Sequence, residues 1–398
     1  MLTLDKIYHA RYVLRDVARE TDLIYAPKIR PDMNVYLKTE NLQNTGSFKL
    51  RGAYYKISQL TEEEKARGVV ACSAGNHAQG VALAATAHGI PSIICLPDGA
   101  PISKVEATKN YGAQVRLVPG VYDDAYEEAL RLRDEEGYTF IHPFNDELVI
   151  AGQGTIGLEI LDQIEDVDAI VIPVGGGGLA SGIAFAVKSL RPDVKVYGVQ
   201  AEGAASMAAS LEEEKIICLE EVTTVADGIK VKEPGTNTFA LCSEYLDGVV
   251  TVNDDEIATA ILTLIEQQKL VAEGAGAVPV AAVLFDKLPQ KHKNVVCVVS
   301  GGNIDVTILS KIIERGLIMS GRNDMLAIEL EDKPGQLQAV SGVLGSLGAN
   351  VQTVAYEKAS EGSSITACVL RMSIETRDWD HIQLVRKTLA EKGFHVLN

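Results

Sequence analysis

The feature that most constrains this chain is a set of short, apolar, β-branched runs separated by helical stretches. They are VVACS (69–73), SIICLP (92–97), AQVRLVP (113–119), AIVIPVG (169–175), VKVYGVQ (194–200) and NVVCVVSGG (294–302). A strand without polar alternation must be covered on both faces, which an antiparallel hairpin sheet does not provide. The stretches between them supply the cover: DDAYEEALRLRDEEG (123–137) and LASGIAFAVKSL (179–190) carry helical periodicity. Thr61, with Glu64 three residues on, predicts a capped helix start. The pattern predicts an α/β, doubly wound, parallel-sheet architecture to about residue 320.

The pattern then changes. MSGRND (319–324) is polar and reads as a linker. Residues 324–398 follow in the order βαββαβ, a ferredoxin-like unit. A length of 398 residues accommodates two or three domains. The 35 glycines and only 5% aromatics suit helices packed closely on sheets.

A net charge of -17 repels phosphate backbones and anionic bilayers, which argues against nucleic-acid and membrane partners. Any anionic cofactor must then be held by a local device such as a helix N-terminus. The six cysteines form no C-x-x-C pair, and the N-terminal segment lacks a leader's apolar core. GAVPVAAVLF (276–285) is apolar but about half a membrane span. The expected compartment is the cytoplasm.

Four segments carry chemistry. In Ser47-Phe48-Lys49-Leu50-Arg51-Gly52-Ala53, a lysine among small and apolar residues can be desolvated into a nucleophilic amine. Taken alone, such a lysine is in most chains a surface residue. Ser73-Ala74-Gly75-Asn76-His77 follows a strand and opens a helix, which presents free N–H groups to an anion or merely caps the helix. Gly175-Gly176-Gly177-Gly178-Leu179 is placed in the same way, and four glycines suit backbone closing around phosphate oxygens. Ser300-Gly301-Gly302-Asn303 ends a strand and reads either as a turn or as a hydroxyl reaching the sheet edge. Gly152-Gln153-Gly154-Thr155-Ile156-Gly157 matches the dinucleotide pattern, but no clean strand precedes it and no acidic residue follows at the required distance.

Taken together, and in this order, the four segments resemble the fold-type-II pyridoxal-phosphate family and its threonine/serine dehydratases. The resemblance covers residues 1–320, with a smaller lobe expected at about 45–145, and it implies pyridoxal 5'-phosphate as cofactor. It implies that Lys49 holds the cofactor covalently and serves as the catalytic base. It further implies that Phe48 packs beside the ring, Asn76 meets the ring hydroxyl, Gly175, Gly176, Gly177, Gly178 and Leu179 cup the phosphate, and Ser300 faces the pyridine nitrogen. Ser73, Ala74, Gly75, Asn76 and His77 would hold the carboxylate of a small amino-acid substrate, such as threonine or serine. Serine racemases resemble the pattern but carry a hydroxyl residue where this chain has Ala74. Some relatives bind a divalent cation where Gln200 and Ser206 stand here, so no metal is expected. Glu273 is expected near the cofactor without an assigned role.

Residues 324–398 resemble an ACT domain, in which Gly335, Leu337 and Asn350 would line a site for an amino-acid effector. Assembly alone is the plainer role, and a homodimer or homotetramer is expected from the family. Rival readings are β-replacement or threonine synthesis on the same cofactor, or an inactive amino-acid sensor.

Overall fold

The computed structural model describes residues 1–358 and 366–397, the side chains of Ser103 and Lys358 aside. They form two compact units, Met1–Val306 and Thr307–Asn398.

The first unit holds two sheets. The larger comprises β1 (Leu23–Tyr25), β2 (Asn34–Lys38), β7 (Ala169–Pro173), β8 (Lys195–Ala201), β9 (Gly248–Val252) and β10 (Asn294–Val298), in the order β1-β2-β10-β7-β8-β9. All its pairings are parallel except β1 with β2. Every residue of β7 and β10 is buried, as strands apolar on both faces require. The smaller sheet comprises β3 (Val69–Cys72), β4 (Ser92–Pro97), β5 (Gln114–Val118) and β6 (Thr139–Phe140), ordered β5-β4-β3-β6 and wholly parallel. It lies in the chain between β2 and β7, so one lobe is inserted into the other. The capped helix at Thr61 forms with both halves of its capping box.

The dinucleotide-like segment Gly152–Gly157 lies inside the helix Glu147–Gln163. Its glycines serve close packing. A Cβ on Gly152 would sit 2.6 Å from Arg51 O, and one on Gly182, in the helix Gly178–Leu190, 2.4 Å from Ile150 O.

The helix Val306–Met319 lies, from its second residue on, in the second unit. That unit continues through β11 (Asn323–Glu331), the helix Gln336–Leu347, β12 (Asn350–Lys358), β13 (Ala367–Glu375), the helix Trp379–Glu391 and β14 (His395–Val396). Its sheet, β12-β13-β11-β14, is antiparallel throughout, and both later helices pack on one apolar face with Leu326, Ile328, Leu370 and Met372. This is the expected βαββαβ order. The segment read as a linker is instead a fastened turn between helix and strand. Gly321 O accepts from Thr376 Oγ1 at 2.7 Å, Arg322 O from Thr376 N at 2.8 Å, and Met319 O from Trp379 Nε1 at 3.2 Å. Its polarity reflects hydrogen bonding rather than freedom.

Candidate active site

Three of the four segments lie just past the carboxyl ends of strands: Ser73–Asn76 after β3, Gly175–Gly178 after β7 and Ser300–Asn303 after β10. That is the edge at which parallel α/β sheets bind ligands. The fourth is tied to them by a bridge between Ser47 and Gly301, and Phe48 N donates to Ser300 O at 3.1 Å. Lys49 opens the helix Lys49–Ser58, against which the helix Asn76–Ala87 packs closely enough that a Cβ on Gly80 would lie 3.1 Å from Lys49 C. Phe48, Lys49, Ser73 to Asn76, His142 to Asn145, Glu273 and Asn303 are all half-buried within an otherwise buried interior. They line a recess.

Lys49 Nζ donates to Pro143 O at 2.8 Å and lies 5.2 Å from the centre of the Phe48 ring. Desolvation lowers its pKa to about 8, and the negative charge of Glu273 pulls the other way. The Glu273 carboxyl is itself pushed up to about 7 by desolvation, and its Oε1 accepts from Asn76 Nδ2 at 2.7 Å.

The glycine run is shaped from several sides. Cβ atoms on Gly176 and Gly178 would strike Phe144 at 2.5 and 2.9 Å, and Gly177 has φ of +94°. Among the described residues, the backbone N–H groups of Gly175, Gly176 and Gly177 donate to no protein acceptor. Leu179 sits in the core of the larger sheet, inside the first turn of the helix Gly178–Leu190.

Two further observations test the fit of pyridoxal phosphate. Gly75 faces open space, and Ser47 Oγ is buried without a partner. A desolvated amine, free N–H groups at helix starts and an unsatisfied hydroxyl make a donor set that suits a phosphorylated aldehyde.

Not every expected residue offers its side chain. His77 is buried with Nε2 donating to Ile141 O at 2.8 Å, and burial lowers its pKa to about 3. Its imidazole therefore faces the core, and only its backbone is left for a substrate. Ala74 presents only a methyl group on the turn that Gly75 opens, whereas the hydroxyl of Ser300, two residues past β10, is engaged by no protein partner among the described residues. Gln200, buried, accepts from Ala208 N at 2.8 Å and donates to Ala204 O at 3.2 Å, while Ser206 Oγ donates to Val231 O. Both side chains are thus engaged in protein bonds. No cluster of potential metal ligands occurs among the described residues.

Sequence reasoning missed the loop His142–Asn145. His142 Nδ1 accepts from Phe144 N at 3.2 Å and Asn145 N at 2.8 Å, which places the ring proton on Nε2. Burial lowers its pKa to about 4, so the ring is neutral. This loop supplies the carbonyl for Lys49 and the ring that rests on the glycine run. Only a half-apolar HPFN stretch beside a weak strand marked it in the sequence.

The family model for pyridoxal-phosphate dependent enzymes matches residues 14–301, nearly the whole first unit. The chain belongs to that family. Pyridoxal phosphate is accordingly its cofactor. Among its relatives, this family member is 50% identical over 398 residues to L-threonine ammonia-lyase of Thermotoga maritima, covering 100% of this chain and 99% of that protein. It is 43% identical, over the same shares, to the L-threonine ammonia-lyase of Geobacter sulfurreducens. Threonine deaminase isoform 2 of Solanum lycopersicum, a solved structure, superposes with a TM-score of 0.75 at 40% identity, over 79% of this chain and 90% of that one.

In the second unit, Gly335 (φ +93°) and Leu337 stand at the start of the helix Gln336–Leu347, with open space at Gly335. Asn350 lies beyond the other end, where its Nδ2 donates to Glu375 Oε2 at 3.2 Å. Twelve helical residues separate them by about 18 Å. One copy of the chain does not bring the three together.

Proposed function

We propose that this pyridoxal-phosphate enzyme is a threonine ammonia-lyase, converting L-threonine to 2-oxobutanoate and ammonia by β-elimination of water, with L-serine to pyruvate as its second reaction. The observation that carries this reading is the amine of Lys49, desolvated to a pKa of about 8 and resting on a backbone carbonyl rather than a carboxylate. Such an amine is free to form a covalent bond and to take a proton near neutral pH. Full-length likeness to two L-threonine ammonia-lyases supports threonine as substrate.

When bound, pyridoxal phosphate supplies an aldehyde that captures the substrate amine and a conjugated ring that spreads the charge left by loss of the α proton. The N–H groups of Gly175 to Gly177 and the start of the following helix bind the phosphate. Phe48 would pack beside the ring, and Asn76 would meet the ring oxygen. In the Ser73–His77 turn, where Gly75 N donates to Ser73 Oγ at 3.1 Å, the N–H groups of Asn76 and His77 at the start of a twelve-residue helix would bind the substrate carboxylate. Lys49 Nζ takes the proton from substrate Cα. Ser300 offers the ring nitrogen a neutral hydroxyl, which does not hold a proton there as an aspartate would. A hydroxyl at that place would favour prompt loss of a β leaving group over transamination. Ala74 gives no acid or base on the opposite face, so L-substrates are deaminated rather than racemised. The side chains of Gln200 and Ser206 are engaged in protein hydrogen bonds and do not offer a carboxylate to a cation.

We read the second unit as an ACT-type regulatory domain in a cytoplasmic homodimer or homotetramer, responding to an effector such as isoleucine or valine. The βαββαβ order supports this, and the distance between Gly335 and Asn350 calls for paired copies to complete a ligand site. The test is 2-oxo acid formation from a panel of amino acids, with and without isoleucine. Threonine is expected to lead the panel without D-product. Ammonia release from no hydroxy amino acid overturns the enzyme reading. Kinetics indifferent to every branched amino acid overturn the effector.

A further inference from the structure

Asn76 does not stand alone beside the recess: its carboxamide is the middle member of a hydrogen-bonded chain. Asn303 Nδ2 donates to Thr45 O at 2.7 Å and to Asn76 Oδ1 at 2.8 Å. Asn76 Nδ2 in turn donates to Glu273 Oε1 at 2.7 Å. Carboxamide oxygen and nitrogen are commonly interchangeable by a flip, but the polarity of this chain is anchored. Thr45 O is a backbone carbonyl and can only accept, so the Asn303 atom facing it is Nδ2. The second Nδ2 hydrogen of Asn303 then needs an acceptor, which makes the facing atom of Asn76 its Oδ1. Asn76 Nδ2 is left to face Glu273. One of its two hydrogens is used there, and the other has no protein acceptor among the described residues.

The surrounding backbone makes room for this chain. A Cβ on Gly46 would lie 2.4 Å from Asn303 Oδ1, and one on Gly301 2.5 Å from Glu273 Oε1 and 3.2 Å from Asn76 Nδ2. Gly46, just ahead of the lysine segment, and Gly301 are therefore accounted for by the approach of Asn303 and Glu273.

We infer that Asn303 and Glu273 are positioning residues: they clamp the Asn76 carboxamide so that its remaining N–H is a permanently oriented donor to the ring oxygen of pyridoxal phosphate. This rests on the reading of Asn76 as the partner of that oxygen. A free asparagine presents oxygen or nitrogen with similar ease, and its oxygen would repel the ring oxygen. The clamp removes that alternative before the cofactor arrives, which is preorganisation at a neutral donor.

The test uses apoprotein refilled with pyridoxal phosphate, reading cofactor affinity, the visible absorption spectrum of bound cofactor and its pH dependence, and the split between kcat and KM for threonine. Asn303→Asp keeps the shape but cannot donate to Asn76. It is expected to weaken cofactor binding about tenfold, to shift the spectrum and to lower kcat with threonine KM within about twofold. Glu273→Gln can still present an oxygen to Asn76 and should keep the wild-type spectrum, whereas Glu273→Ala should behave like Asn303→Asp. Wild-type affinity and spectrum in Asn303→Asp overturn the clamp. Equal damage in Glu273→Gln and Glu273→Ala overturns the part assigned to Glu273. Asn76→Ala separates the two levels: if it too leaves affinity and spectrum unchanged, the underlying assignment of Asn76 fails. If it moves both while Asn303→Asp does not, the clamp alone fails.

Discussion

Lys49 and Arg51 are two residues apart in the first turn of one helix, and the protein treats their charges in opposite ways. Arg51 is 1% exposed and held on every side: Nε and Nη2 donate to Glu40 at 2.8 Å each, Nη1 to Glu159 Oε1 at 2.5 Å, and Nη2 also to Glu159 Oε2 and Arg19 O. Lys38 and Thr21 complete the cluster through Glu159 and Glu40. Those carboxylates raise the Arg51 pKa despite its burial. Lys49 has one carbonyl, a ring face and a carboxylate that shares no hydrogen bond with it, so burial wins and its pKa falls. The contrast teaches that a buried cation saturated with partners fixes structure, whereas one left short of partners is available for chemistry.

Four experiments press on that contrast. The largest effect is expected from Lys49→Ala, which should cost threonine turnover at least about 10⁴-fold while leaving the circular dichroism spectrum native. Near-normal turnover would make the two cations equivalent. Arg51→Leu should strand Glu40 and Glu159 and lower unfolding free energy by about 3–5 kcal/mol, read by urea denaturation. A loss below about 1 kcal/mol would mean that the cluster is no better satisfied than Lys49.

The third concerns the neighbours of Lys49. His77 and His142 hold folded pKa values of about 3 and 4, below the usual histidine range. Between those values and about 6.5 the unfolded chain binds more protons, so stability falls as pH is lowered through that window. Glu273, raised to about 7, opposes this: it adds stability at low pH that is lost as pH rises from about 4.5 to 7. His142→Asn, whose Oδ1 can replace the Nδ1 acceptor, should flatten the acid limb of apoprotein stability by on the order of 2 kcal/mol. An unchanged limb would show that His142 is not held neutral. The smallest effect has the opposite sign. Lys49→Met should stabilise the apoprotein at pH 7 by about 1 kcal/mol, because it removes a charged amine the fold does not compensate. A destabilised variant would place Lys49 with Arg51.

Much of this was legible in the sequence where the signal is local. The runs 69–73, 92–97, 169–175 and 294–302 became β3, β4, β7 and β10, and the glycine and S-A-G-N segments fell at their carboxyl ends. Strand, turn and helix start are encoded within about ten residues, so periodicity finds them. Long-range partners left no such trace. Arg51 meets Glu159 across 108 positions and Asn76 meets Glu273 across 197, and nothing in either stretch announces the other. The helix Glu147–Gln163 escaped for a related reason: its glycines stand out in the sequence only as a failed match to the dinucleotide pattern, whereas they are set by what packs on them. The polar segment near 320 misled because hydrogen-bonded turns and free linkers share a composition.

The seating of the Lys49 helix by bare backbone has an evolutionary corollary. With Gly152 against Arg51 O and Gly80 against Lys49 C, no rotamer can swing aside to absorb an extra methyl. Gly152→Ala, at 2.6 Å, must shift one of the two helices, whereas Gly80→Ala, at 3.1 Å, asks for a smaller adjustment of the backbone at Lys49 itself. Displacements of about 1 Å at a reacting atom can cost on the order of a hundredfold in rate. Two chemically inert positions thus share the mutational intolerance of the nucleophile, Gly152 more than Gly80, and drift there would slow the enzyme without touching a single reactive group.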